Sequence, residues 1–376
     1  MTPLADRIAR RITAAGPMPL AEYMAVCLGD PKDGYYARAD TIGAGGDFIT
    51  APEVSQMFGE LIAVWCYAAW QAIGRPGKVM LAEAGSGKGT LLADLLRTVR
   101  RFADFASAID LHLIEASETM IARQREVVAA ADFADRAHWH TTLAELPDLP
   151  TILVANEFLD VLPIRQYVKA GEIWHERCVG LADDGALVWK LGPALIDPSL
   201  LPPGAVREPD GAVFETAPAR EAWIAMLGEK LAQNGGMALL IDYGHAETGF
   251  GDTFQAMRGH AHADPLAEPG LADLTSHVDF TALARAAASA GSTASAIADQ
   301  GEFLLAMGLA ERAGTLGAHA DEMTRKRLRS EAERLARRDQ MGSLFKVLAL
   351  AGRFPQGDGP DLPPFTFPTA IDVRGS

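Results

Sequence analysis

The apolar positions of this chain follow two rhythms that change near residue 77. From there on, short apolar runs alternate with amphipathic stretches. "VMLAEA" (79–84), "LHLIEA" (111–116), "AHWHTTL" (137–143) and "TILVANEF" (151–158) predict strands. Between them, the stripe Leu92, Leu95, Leu96 and Val99 and the segment "SETMIARQREVVAAA" (117–131) predict helices. Such alternation predicts βαβ units and a parallel sheet with helices on both faces. "MALLIDYG" (237–244), after a helix over 219–234, resumes the sheet, and "SLFKVLALAG" (343–352) adds a late strand. Before Gly77 the spacing of Ile8, Ile12, Leu20, Tyr23 and Met24 is helical. A glycine-rich interruption follows, then a helix from about Val54 to Ile73, capped within Thr50–Glu53. Beyond Asp160, "RQYVKAGEIWHERCVGL" and "GALVWKLG" read as antiparallel strands turning at Gly171 and Gly185. Helical patterns return from Phe280 to about Gln340. The expected organisation is a helical region over 1–76, a core over 77–352 with insertions at about 164–218 and 245–340, and a Pro-rich tail over 353–376.

Composition narrows the function. The 376 residues carry a formal charge of −15, a field that repels a phosphate backbone, so nucleic acid is not expected as a partner. Cys27, Cys66 and Cys178 are far apart and form no CxxC, which indicates neither a disulfide framework nor a zinc site. No apolar run is long enough to span a membrane. Arg7, Arg10 and Arg11 lie on an amphipathic start, but Asp6 and the scarcity of serine favour an ordinary first helix over a transit peptide. Residues 321–340 mix seven basic with five acidic side chains, as a solvated helix does. "HWH" (138–140) and "HAH" (260–262) each put two imidazoles on one strand face, but no Cys or acidic residue recurs at ligand spacing, so no metal is expected.

The chemistry concentrates in "EAGSGKGT" (83–90). A phosphate-binding G-x-x-x-x-G-K-[ST] loop would need glycine at 82 and a hydroxyl at 89, where the chain has Ala82 and Gly89. A dinucleotide loop needs a third glycine where Thr90 stands. What remains is an acid closing a strand, then alternating glycines: Glu83, Gly85, Ser86, Gly87 and Gly89. An acid there suits a ligand with an ammonium group, and glycines admit it past the backbone. That is the first motif of the class I S-adenosylmethionine (SAM) methyltransferases, so the expected fold is a Rossmann-like sheet with an N-terminal helical extension and insertions. Glu115, ending the second strand, is placed to accept from ribose hydroxyls.

The fourth strand opens into Asn156, Glu157 and Asp160 at the edge where such folds bind ligands. Methyl transfer is an in-line displacement, and a guanidinium acceptor arrives planar and charged. Paired carboxylates can hold it as a fork, which makes Glu157 and Asp160 catalytic candidates. Asp242 and His245, ending another core strand at the same edge, are further candidates for contacting substrate or taking up its proton.

The set "GYY…GDFITAPEVSQMFGE" (34–60), "EAGSGKGTLLADLLR" (83–97), "ANEFLDVLP" (155–163), "LLIDYG" (239–244), "PGLADLTSHVDF" (269–280) and "MGSLFKVLAL" (341–350) resembles the MidA family of SAM-dependent methyltransferases along nearly the whole chain. The resemblance implies SAM as cofactor and Asn156 in the wall of its crevice. It also implies a closing element around "GDFIT", with Asp47, Phe48, Thr50 and Glu53 as substrate or lid residues. It further implies arginine methylation of a respiratory complex I subunit or its bacterial counterpart. The corresponding location is the bacterial cytoplasm, or the mitochondrial matrix in a eukaryote. Two other readings stay open at this stage, a SAM-binding assembly factor with little turnover and a phosphotransferase.

Overall fold

The computed structural model describes residues 2–37 and 50–352, with Leu362, Pro364, Phe365 and Phe367 of the C-terminal segment. The chain forms two units, each assembled from three stretches. The first takes Met1–Phe48, Asp160–Ala222 and Glu247–His277; the second takes Ile49–Leu159, Trp223–Ala246 and Val278–Ser376.

In the first unit, the strands Arg165–Ala170 and Ile173–Leu181 form the expected hairpin at Gly171, and Leu187–Leu195 folds back across Gly185. Both glycines have positive φ, 64° and 83°, which these tight turns need. Met18–Pro19 and Val213–Thr216 complete an antiparallel sheet. The helices Pro3–Ala15 and Leu20–Gly29 bury Leu4, Ile8, Ile12, Tyr23 and Met24 in one cluster with Val179 of that sheet. A small sheet of Gln255–Arg258, Ala261–Ala263 and Asp273–Thr275 was not foreseen from the pattern. Its strands are three or four residues long, too short to show an alternation.

The second unit carries the predicted core. Its strands are β1 (Val79–Ala84), β2 (Ile109–Ile114), β3 (Ala137–His140), β4 (Thr151–Asn156), β5 (Gly236–His245) and β6 (Phe345–Ala351). They lie in the order β3-β2-β1-β4-β5-β6, all parallel except β6, with Thr293–Ala294 beyond β6. Every residue of β1 and β4 is buried, as expected of central strands covered on both faces. The order reverses between β1 and β4, and the crevice outside the carboxyl ends of those strands is where this architecture receives ligands.

Three helices frame these strands: α1 (Gln56–Ala72), α2 (Thr90–Val99) and α3 (Glu118–Ala130). The α2 stripe Leu92, Leu95, Leu96 and Val99 is buried as predicted. α1 begins later than the periodicity indicates: Ser55 breaks the run after a short helix, Ala51–Val54, and its hydroxyl accepts the N–H of Met57 at 3.3 Å. The stretch expected to be helical from Phe280 to Gln340 is interrupted by Thr293–Ala294 and Ala298–Asp299, which pair with β6. The mixed-charge segment is the helix Glu322–Ala336, where Arg327 pairs with Glu331 one turn on. No helix among the described residues is long and apolar enough to cross a membrane.

Candidate active site

Three glycines shape the turn from β1 into α2. Gly85, Gly87 and Gly89 have φ of 72°, 51° and 82°, a region that L side chains rarely occupy. The Gly85 N–H donates to the Ile114 carbonyl at 3.0 Å, and the Gly89 N–H donates to that of Ser86 at 2.8 Å. A Cβ on Gly85 would also stand 2.8 Å from the Phe158 ring. Glycine is therefore needed at 85 for two separate reasons, backbone sign and space.

Glu83, the penultimate residue of β1, is buried, and its Oε2 has no hydrogen-bond partner. Burial pushes its carboxyl up to about 8; the Ser86 hydroxyl opposes that rise and the nearby Glu115 adds to it. Glu115 follows β2. Its Oε1 accepts the N–H groups of Ala116 and Ser117, each at 3.0 Å, and its Oε2 accepts from Gln124 Nε2 at 3.1 Å. Burial raises this carboxyl as well, against those hydrogen bonds. Gln124 of α3 also donates to the Gly87 carbonyl at 2.9 Å, and its Oε1 accepts from the Trp139 indole at 3.0 Å. One fully buried glutamine thus ties the glycine loop, the end of β2 and strand β3 together.

On the other side of the switch point, Glu157 leaves β4 with φ of 50°, unusual for a residue with a side chain. Its Oε1 accepts from the Ala51 N–H at 3.0 Å and the Asn156 amide at 3.2 Å; its Oε2 accepts from the Tyr243 hydroxyl at 3.3 Å. Burial pushes the carboxyl up to about 8, the Ala51 N–H opposes this, and the negative Asp242 adds to it. Asp242, fully buried in β5, spends its oxygens on main chain. Oδ2 accepts from Phe158 and Leu159 at 3.2 and 2.9 Å, and Oδ1 from Tyr243 at 2.9 Å. It holds the turn that presents Glu157. The Asn156 Oδ1 is buried without a hydrogen-bond partner.

The other sequence candidates are distributed as follows. His245 ends β5, half-buried and in register with Asp279, which caps the helix Phe280–Ser289. Thr50 precedes the helix Ala51–Val54, and Glu53 lies within it. Asp160 belongs to the first unit, where its carbonyl accepts from the Ser276 N–H at 3.1 Å and from the buried Arg220 at 2.9 Å. Asp47 and Phe48 lie outside the described residues. No spacing signal marks Gln124, Trp139 or Phe158, since a glutamine within a helix or an aromatic beside a strand end carries none, and Tyr243 stands out only as the neighbour of Asp242 at a strand end. "NEF" did place Phe158 directly beside two residues already singled out.

An acid with an unpartnered buried oxygen, a glycine turn with three left-handed residues and a second acid at the next strand end are the features expected of a class I methyltransferase cofactor site. The sequence model of an S-adenosyl-L-methionine-dependent methyltransferase family matches residues 61–297, and the chain belongs to that family. It is similar to the protein arginine methyltransferase NDUFAF7 homolog, mitochondrial, of Drosophila melanogaster, with 32% identity over 92% of this chain and 84% of that protein. It is likewise similar to the Homo sapiens protein arginine methyltransferase NDUFAF7, mitochondrial, with 33% identity over 93% and 83%. Among solved structures, a superfamily member from Burkholderia thailandensis bound to S-adenosyl-homocysteine superposes with a TM-score of 0.81 and is 30% identical, covering 93% of this chain and 91% of that one. The protein is thus a SAM-dependent methyltransferase, and the MidA-type fold expected from the motifs is the one it has. The buried, orphaned Glu83 Oε2 fits the ammonium group of SAM, because a cation there supplies the partner the carboxylate lacks.

Proposed function

We propose that the protein is a protein arginine N-methyltransferase in which Glu157 receives the acceptor guanidinium. SAM supplies the electrophilic methyl group, held by Glu83, the turn Gly85, Ser86, Gly87 and Gly89, the ribose acceptor Glu115, and Asn156. The observation that carries the reading is Glu157 itself. It is half-buried, hydrogen-bonded at both oxygens and fixed on a strained backbone at the carboxyl edge of the sheet. Its raised pKa leaves it protonated at neutral pH until a cation arrives. Pairing with a guanidinium then favours the carboxylate and orients one nitrogen, and the carboxylate is placed to accept the proton that nitrogen sheds as its bond to the methyl group forms. Asp242 acts through the turn as a positioning residue. The relatives named as arginine methyltransferases support the acceptor class. The further steps, to a respiratory complex I subunit as the protein substrate and to the bacterial cytoplasm or mitochondrial matrix as the location, rest on the family resemblance. The test is methyl transfer from labelled SAM to arginine-containing acceptor protein by purified enzyme. Glu157→Gln should lower turnover by about 10²–10⁴-fold, as loss of a catalytic acid or base does, while S-adenosyl-homocysteine binding persists. Unchanged turnover in Glu157→Gln would overturn the role given to Glu157, whereas no transfer by the wild type, with S-adenosyl-homocysteine still bound, would leave a SAM-binding assembly factor as the better description.

A further inference from the structure

Apart from the cofactor crevice, β2 and β3 bring together a second cluster of chemical groups. Parallel register sets His112 opposite His138 and Ile114 opposite His140, so Asp110, His112, His138 and His140 share one face of the sheet. Trp139 occupies the other face, where its indole reaches Gln124 of α3. The Asp110 carboxylate lies 3.1 Å from His138 Nε2 and 3.6 Å from His112 Nε2. One ligand atom from each of these three residues falls within 4.8 Å of the other two.

We propose that Asp110, His112 and His138 form a binding site for a divalent transition-metal ion of the zinc class, fastening edge strand β3 to β2. Two imidazoles and one carboxylate make a ligand set that zinc uses, with a further position left to water. Bonds of about 2.0–2.2 Å in a tetrahedron put ligand atoms roughly 3.3–3.5 Å apart; His138 Nε2 lies 3.1 Å from Oδ1 of Asp110 and His112 Nε2 lies 3.6 Å from Oδ2, each close to that spacing. The independent sign is His112 Nε2. It is buried, faces Asp110, and has no hydrogen-bond partner, since 3.6 Å is beyond hydrogen-bond reach. The other ring nitrogen, Nδ1, is 2.8 Å from His140 Nε2. A proton donated along that contact leaves the lone pair of His112 on Nε2, the arrangement in which an outer partner orients a metal-binding histidine. One group competes: Lys78 Nζ is 2.9 Å from Asp110 Oδ2, but that side chain is mostly exposed and free to swing away. Sequence spacing could not find this set, because its members come from two strands 28 residues apart that only pairing aligns.

Untagged full-length protein, stripped with chelator, is titrated with Co(II) and Zn(II) by calorimetry and visible absorption. The expected result is one equivalent of Co(II) per chain with a d–d spectrum displaced by Zn(II). His138→Ala, at a half-exposed ring, should weaken binding at least tenfold without changing circular dichroism. His140→Ala should weaken it about 10–100-fold as loss of an outer partner does, and Lys78→Met should tighten it. Binding of either metal that is absent from the wild type, or that His138→Ala and Lys78→Met both leave unchanged, would overturn the proposal.

Discussion

Glu83 and Glu157, the acids at two strand ends, owe their titration to desolvation. Both have folded-state pKa values near 8, above the ordinary carboxylate range. The native state therefore binds more protons than the unfolded one between about 4.5 and 8. Stability of the ligand-free protein should consequently fall as pH rises through that window. Thermal melts from pH 5 to 8.5 should show the loss, and Glu83→Gln should flatten part of it. An ammonium ligand works in the opposite direction: it favours the ionised Glu83, so S-adenosyl-homocysteine binding should strengthen from pH 6 to 8. Glu83→Gln should weaken that binding at pH 8 by about 1.5–3 kcal/mol, the range for a hydrogen bond to a charged group, and remove its rise with pH. Calorimetry reads both. Gly85 is a second residue-scale case. Its glycine was legible as part of a motif, whereas its collision with Phe158 required the fold. Gly85→Ala should cost at least about 1–2 kcal/mol from the left-handed backbone alone, measured by urea unfolding, and should weaken cofactor binding.

At the scale of elements, β1, β2, β4 and β5 were legible because each is a mainly apolar run that ends at a glycine or an acid. α1 was legible except for its start, which a single serine hydroxyl decides. What periodicity could not supply was pairing. The antiparallel placement of β6, the short strands beside it and the alignment of His112 with His138 all depend on contacts distant in sequence. The same holds for the charge network beneath α1. Glu60, buried in that helix, accepts from Arg312 at 2.6 and 2.9 Å and from Arg97 at 3.2 Å, while Arg97 also meets Asp94 at 2.6 Å. Burial alone would raise Glu60, but the two guanidinium groups outweigh it and hold it below its ordinary value. Its contribution is therefore present above the unfolded pKa and fades as pH falls through the carboxylate range. Arg312→Met should destabilise the protein by about 3 kcal/mol, the lower end for breaking a buried pair, with the difference narrowing in acid. Chemical denaturation at pH 7 and pH 4 checks both statements.

The whole molecule is woven in a way that no local pattern announces. Each of its units is built from three separated stretches, and the chain passes between them at Phe48, Leu159, Ala222, Ala246 and His277. The helices of the first fifty residues share a core with strands near 170–180 and 255–275, and such partners become visible only in three dimensions. The glycine motif and the strand-end acids nevertheless stand out in the sequence and lie at the carboxyl edge of one sheet, because they are where backbone geometry and ligand charge constrain residue type most tightly. The central claim is that this edge methylates protein arginine through Glu157. Quantitative mass spectrometry of methylarginines in cells lacking the protein, restored with either wild type or Glu157→Gln, tests it most directly. A methylated arginine on a respiratory complex I subunit should disappear in the deletion and return only with the wild type. A methylarginine profile identical in all three strains would contradict it.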